Sequence, residues 1–242
     1  MTKQYPDAET VSLPGQPDHN RLQIQRTEPV FENAVDTAYT LKDIEDEDSL
    51  GSFGESFPPV SDIEVSLLDK AVLSDLLFYT FGRVGTVVTE TIPHGPLLLK
   101  TSPAHGSLHP LEAYPIICGV EGVPDGRYHY SVEDHSLDRL GSLSPLAQDI
   151  LPTTGGVLIG ITAVVKRCMW KYRGARELRN ILHDFGHLIG TYDLVTEALG
   201  IDSWMHLKFD TETLAKVIDI NIFEEPPIGI LTAVSDTTTG SA

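Results

Sequence analysis

Three groups of residues have types and spacings that could do chemistry. Lys171 and Tyr172 are neighbours in the segment Met169 to Asp202. A lysine amine takes a proton only while it carries none of its own, a state favoured by burial or by a nearby cation such as Arg173 or Arg176. A tyrosine beside it can relay that proton or orient a ring. Without further context the pair reads as well as a helix-start lysine next to a half-buried tyrosine. His183 and His187 stand four apart, so on a helix they share one face, as zinc-binding pairs do. Their surroundings read H-D-x-x-H rather than H-E-x-x-H, with no third ligand at a recognisable spacing, so no metal is expected. The third group is the loop Lys100 to Tyr114, KTSPAHGSLHPLEAY. Small residues with Pro103 and Gly106 let its backbone approach a ligand closely. Pro110-Leu111-Glu112 reads as a short helix, whose start can present N–H groups to an anion or to polar ring edges. A plain structural turn explains the same residues.

These groups need elements to hold them. An apolar pattern from Ser61 to about Phe81, opened by a capping box of Ser61 and Glu64, predicts a helix that Gly82 and Gly85 break. Tyr114 to Val120 predicts a strand, Pro124-Asp125-Gly126 a turn, and Arg127 to Ser131 a second strand. Gly156 to Val165, rich in β-branched residues, predicts a buried strand. The longest helix is predicted from about Tyr172 to Leu199, with Ile181, Phe185, Leu188 and Tyr192 on a broad apolar surface and Gly200 ending it. Gly186 and Gly190, four apart, predict the close approach of another helix or a flat ligand. A short helix at Thr211 to Ile218 and a strand at Ile228 to Val234 follow. The order of elements predicts an α+β fold.

Composition narrows the function classes. The 242 residues are 41% hydrophobic and 21% charged, enough for one sizeable core. A formal net charge of −18 repels phosphate and argues against nonspecific nucleic-acid binding. Solubility and a high-salt interior both account for that charge. No apolar run reaches the roughly 18 to 20 residues that span a bilayer. Met1 to Glu9 lacks the apolar stretch of a secretory signal, so a cytoplasmic protein is expected. Cys118 and Cys168 sit outside any CxxC and are expected to be reduced thiols near the core. Residues 1–60 hold 12 acidic and 4 basic residues without apolar period, which predicts an extended or partly flexible arm. A folded domain is expected over residues 61–234, then a polar tail at 235–242.

Two blocks carry a resemblance. In the first, Ser102, Pro103, Gly106, His109, Pro110, Glu112 and Tyr114 match a pattern like R-x-(S)-P-S-x-G-A-x-H-P-x-E-x-Y. Lys100 stands at its arginine and Ala104 at a common serine. Gly126-Arg127-Tyr128-His129-Tyr130, with His135 and Leu140, resembles the hairpin that follows. In the second, Lys171, Tyr172, Arg179, Asp184, Gly186, His187 and Ala198-Leu199-Gly200 match a "KY-x-x-R-x-x-R … (H)D-x-GH … A-x-x-LG" helix. The arginine spacing carries one extra residue. Together the blocks resemble the flavin-dependent nitroreductase-like superfamily, in its SagB-type (McbC-like) azoline dehydrogenase branch.

That resemblance implies a nitroreductase-like α+β fold: a mainly antiparallel central sheet, flanking helices, a long central helix and an intertwined homodimer. It implies FMN as cofactor and oxidation of thiazoline or oxazoline rings to azoles in a peptide natural product. Lys171 and Tyr172 are the implied catalytic pair. Lys100, Ser102, Pro103, Ala104, His105, Gly106, Ser107, His109, Glu112, Arg179, Gly186 and His187 are the implied FMN-binding set. Cyclodehydratase-type proteins are the implied partners. The Arg-rich N-terminal motif that grips the FMN phosphate in such enzymes has no counterpart before Ser61. That task falls to Lys100, Arg83, Arg179 or a partner subunit. A general NAD(P)H-dependent nitroreductase and a non-catalytic subunit of a hetero-oligomer are the alternatives.

Overall fold

The computed structural model describes residues 9–13, 68–87, 97–150, 156–172, 174 and 176–234. The capping box at Ser61 and Glu64, most of the acidic arm and the polar tail lie outside the described residues.

Two strands make the middle of the molecule. Strand β4, Leu111–Cys118, pairs antiparallel along its whole length with β7, Gly156–Ala163. Successive side chains of a strand point to opposite faces. Ala113, Ile117, Val157, Ile159 and Ile161 enter one apolar core, while Tyr114, Ile116 and Leu158 enter another. Both faces are covered, which is why these strands read as continuous apolar runs rather than as alternation. Around them the sheet has seven strands in the order β1-β6-β5-β4-β7-β9-β8, all paired antiparallel. The others are β1 (Glu9–Ser12), β5 (Gly126–Ser131), β6 (Ser136–Gly141), β8 (Asp202–His206) and β9 (Pro227–Val234).

Two helices cover the first face. Helix α1 runs Lys70–Phe81, capped by Asp69, whose carboxylate accepts the Val72 N–H at 2.8 Å. It ends at Gly82, where a Cβ would lie 2.3 Å from the Phe78 carbonyl oxygen. The long helix α4, Arg176–Leu199, buries Ile181, Phe185, Leu188, Tyr192 and Val195. It lies so close to β9 that a Cβ on Gly229 would sit 2.3 Å from the Phe185 ring. On the second face lie α2 (Pro145–Ile150), which contributes Ala147, and α5 (Thr211–Ile218), which contributes Leu214, Val217 and Ile218.

The structure corrects two local expectations. Lys171 and Tyr172 do not open the long helix. Lys171 ends a separate helix, α3 (Val165–Lys171), and Tyr172 leaves it in an extended conformation at φ −122°, ψ 111°. Gly174, a poor helix former, falls in the gap before α4. Nor is Pro110-Leu111-Glu112 helical. Leu111 already pairs with Ala163, and the Val164 N–H donates to the Pro110 carbonyl at 2.7 Å, so the sheet ladder claims these residues. The helical turn lies earlier, as a 3₁₀ turn at His105–Ser107.

A separate two-stranded ladder, β2 (Arg83–Val87) with β3 (Leu97–Lys100), feeds that turn. Cys118 is partly exposed and Cys168 buried, both as free thiols. Among the described residues no helix is long and apolar enough to cross a membrane.

Candidate active site

The loop after β3 is tied to the end of α1. The Thr101 N–H donates to the Gly82 carbonyl at 3.0 Å, and the Ser102 hydroxyl donates to the Thr80 carbonyl at 2.7 Å. Beyond Ala104 the backbone turns sharply, with φ of 59° at Gly106, 55° at Ser107 and 44° at His109. Glycine meets this left-handed demand at no steric penalty, whereas serine and histidine are strained there. His109 is held in place from its ring: Nε2 donates to the Leu98 carbonyl at 2.8 Å. Since a carbonyl only accepts, the proton is on Nε2. Burial and the charges of Lys100 and Arg167 outweigh that hydrogen bond and pull its pKa down to about 4. His109 therefore braces the loop as a neutral ring.

The two sequence blocks meet here. A Cβ built on Gly106 would lie 3.0 Å from the Tyr172 hydroxyl oxygen and 3.3 Å from the Lys171 amine. The Lys171 amine stands 3.5 Å from the Gly106 carbonyl oxygen, at the long limit of a hydrogen bond, and 5.2 Å from the centre of the Tyr172 ring. The Tyr172 ring lies against His105, with centroids 4.9 Å apart at 45°. The Lys171 and Tyr172 side chains thus cover Gly106. Lys171 is exposed rather than buried. Arg173 and the side chain of Arg176 lie outside the described residues.

A small cleft adjoins the same loop, walled by Thr80, Phe81, Leu111 and Leu188 with Lys100, Ser102, Pro103, Ala104, His109, Pro110 and Asp184. Thr80 Oγ1 and Asp184 Oδ2 are buried without a hydrogen-bond partner among the described residues. Burial holds the Asp184 carboxyl above the usual range, against the pull of the His105 N–H and of His105, His187 and His183. The other oxygen of Asp184 accepts the His105 backbone N–H at 2.7 Å. Burial lowers Lys100 to about 8, with Glu112 opposing and Arg167 adding to the shift.

Glu112 is not part of that wall. It is buried behind it, with one carboxylate oxygen paired to Arg167 and the other 2.8 Å from His129 Nε2. Arg167 also donates to the His109 carbonyl at 2.9 Å, and His129 Nδ1 lies 3.7 Å from Asp138. Burial alone would raise Glu112, but the His129 hydrogen bond, Arg167 and Lys100 together hold it down at about 2. The cluster fixes the floor on which Lys100 and His109 stand.

Arg179, Gly186 and His187 occupy the exposed side of α4, as do His183 and Gly190. A Cβ on Gly186 or Gly190 would meet open space, so among the described residues nothing makes the expected close approach. No group of three possible metal ligands occurs among the described residues. Arg167 and Thr80 gave no signal in the sequence. Asp184 did: it falls three residues after Ile181 and four before Leu188, an acid on the apolar face of a helix.

No protein-family model matches the chain. It is 31% identical over 162 residues to the trifolitoxin-processing protein TfxB of Rhizobium leguminosarum bv. trifolii, covering 62% of this chain and 42% of that protein. The chain thus spans well under half of this relative. Among solved structures it is similar to a nitroreductase-type protein of Anabaena variabilis, with TM-score 0.59, 25% identity, 68% of this chain and 34% of that one covered. It is also similar to a chain of the E. coli microcin synthetase McbBCD complex with truncated pro-MccB17 bound. There the TM-score is 0.59 at 15% identity, covering 76% of this chain and 72% of that one. The fold is nitroreductase-like: α+β, with a mainly antiparallel sheet and one long helix.

Proposed function

We propose that this nitroreductase-like chain is an FMN-dependent oxidoreductase of peptide maturation that oxidises thiazoline or oxazoline rings to azoles. One observation carries the proposal: the Lys171 amine and the Tyr172 hydroxyl converge on Gly106, in the loop whose Ser102, Pro103 and Ala104 line a cleft. The names of the relatives support it, since one processes trifolitoxin and another belongs to a microcin synthetase.

The residues present fit a flavin. Among the described residues Thr80 Oγ1 and Asp184 Oδ2 have no hydrogen-bond partner, and both residues line the cleft. Lys100 in the cleft, or Arg179 on α4, would meet the phosphate. Bound FMN supplies an acceptor for a hydride. The protein supplies the other half of the reaction. Oxidising an azoline removes one hydrogen with its electron pair and a second as a proton. The Lys171 amine, in its unprotonated form, would take that proton from the ring carbon, and the Tyr172 hydroxyl would orient the ring or relay the proton.

A second copy of the chain is the proposed partner on α4. Leu178, Leu182 and Leu194 are exposed there at 61%, 53% and 53%, in one row with Gly186 and Gly190 at intervals of four. Such a face is flat, apolar and self-complementary under twofold symmetry. A cyclodehydratase-type protein is the further partner.

The test is turnover. Purified protein with FMN and oxygen is given a thiazoline-bearing peptide, and mass spectrometry follows the loss of two hydrogens per ring. Steady flavin reduction by NAD(P)H with the ring untouched would instead favour a general nitroreductase.

A further inference from the structure

We infer that Asp184 is a positioning residue, which sets the Lys171–Tyr172 pair by holding the His105–Gly106 peptide segment. Asp184 is 2% exposed, on the face of α4 that otherwise buries Ile181, Phe185 and Leu188. A carboxylate there is expensive, and an apolar side chain would pack at least as well. What the carboxylate adds is a charge-assisted hydrogen bond. Its Oδ1 takes the backbone N–H of His105 at 2.7 Å.

That bond sits where the loop has least support. The other ties lie at its ends, Ser102 on Thr80 and His109 on Leu98. Between them, the Ser107 and Leu108 N–H groups only close the turn on itself. Both catalytic candidates rest on the held segment. Tyr172 packs its ring on the His105 ring, and Lys171 reaches the Gly106 carbonyl. Displacing His105 displaces both, and a misplacement of about 1 Å can lower a rate roughly a hundredfold.

Titratable groups surround Asp184 from each neighbouring element: His105 from the loop, His183 and His187 on α4 itself, and Cys168 from α3. Lys100, from β3, shares the cleft wall. The hold is strongest while Asp184 is ionised. It weakens as pH falls through the carboxyl's raised pKa, a window above the ordinary aspartate value of about 3.9.

The inference rests on the proposed function for its purpose, yet its test needs neither flavin nor substrate. Amide hydrogen exchange at His105 and competitive acetylation of Lys171 against exposed Lys208 are measured on the full chain. In Asp184→Ala, His105 exchange should rise roughly tenfold, the loss of about one charge-assisted hydrogen bond. Lys171 labelling should shift relative to Lys208. Asp184→Asn, which still offers an oxygen, should keep most of the protection but lose its dependence on pH. Wild-type exchange and labelling in a folded Asp184→Ala would overturn the inference. So would an unchanged pH profile in Asp184→Asn, which decides the matter if Asp184→Ala does not fold. Failure of wild-type turnover would instead strike the proposed function and leave these readouts standing.

Discussion

The amine of Lys171 stands 3.5 Å from the carbonyl oxygen of Gly106, across 65 residues of sequence. The contact joins the small-residue turn to the Lys-Tyr pair, two features that are separately ambiguous in the sequence. Lys171 is the last residue of α3, and Tyr172 leaves that helix in an extended conformation.

Replacing Lys171 by Ala should lower kcat on a thiazoline peptide roughly a hundredfold or more, the range for loss of a general base. Lys171→Arg should fare no better, since a guanidinium stays protonated. FMN affinity should change little in either. Comparing kcat with the flavin dissociation constant in the same preparations checks this.

Gly106→Ala should harm activity more than stability. The residue sits at φ 59°, and the new Cβ would press on the ends of the Tyr172 and Lys171 side chains at 3.0 and 3.3 Å. These ends can move, so a loss of about 1–2 kcal/mol is expected from backbone strain. Moving them takes the pair off its position. Thermal unfolding beside turnover separates the two effects.

Glu112→Gln should destabilise the fold by roughly 3 kcal/mol at neutral pH, because it breaks a buried, paired charge. The folded carboxyl titrates near 2, below the unfolded value of about 4.3. Its contribution is therefore fully present above that unfolded value and disappears as pH falls towards 2. The buried His109 and His135 act in a different window. Each titrates near 4 in the folded chain and near 6.5 unfolded, so stability already declines as pH drops from about 6.5 to 4. Denaturant unfolding across pH should show both limbs in the wild type and only the upper one in Glu112→Gln.

Leu182→Glu should give a folded monomer, since the side chain is 53% exposed in the single chain, with thermal stability lowered only by the loss of the contact between copies. Sedimentation velocity of the variant against the wild type checks the proposed twofold contact on α4.

The sheet's inner strands were legible because apolar runs such as Gly156–Ala163 have few alternatives in so short a length. The edges were not. In β8 all residues but Ser203 are exposed, so no alternation marks it, and the four-residue β1 turns a single apolar side chain, Val11, to the core. The break between α3 and α4 was hidden because the residues on both sides of Gly174 favour helix. At the site, the loop and the Lys-Tyr pair could be read from residue types and a resemblance. Arg167, which ties Glu112 to the His109 carbonyl, could not, because only the tertiary fold brings those groups together.

The most direct check is a titration of the purified chain with FMN, followed by absorbance between about 350 and 500 nm and by acetylation of Lys171. Saturable uptake, a perturbed flavin spectrum and protection of Lys171 against the reagent are predicted. A spectrum identical to free FMN, with Lys171 labelled as fast as without it, would contradict a flavin beside Gly106 and leave only the shared fold.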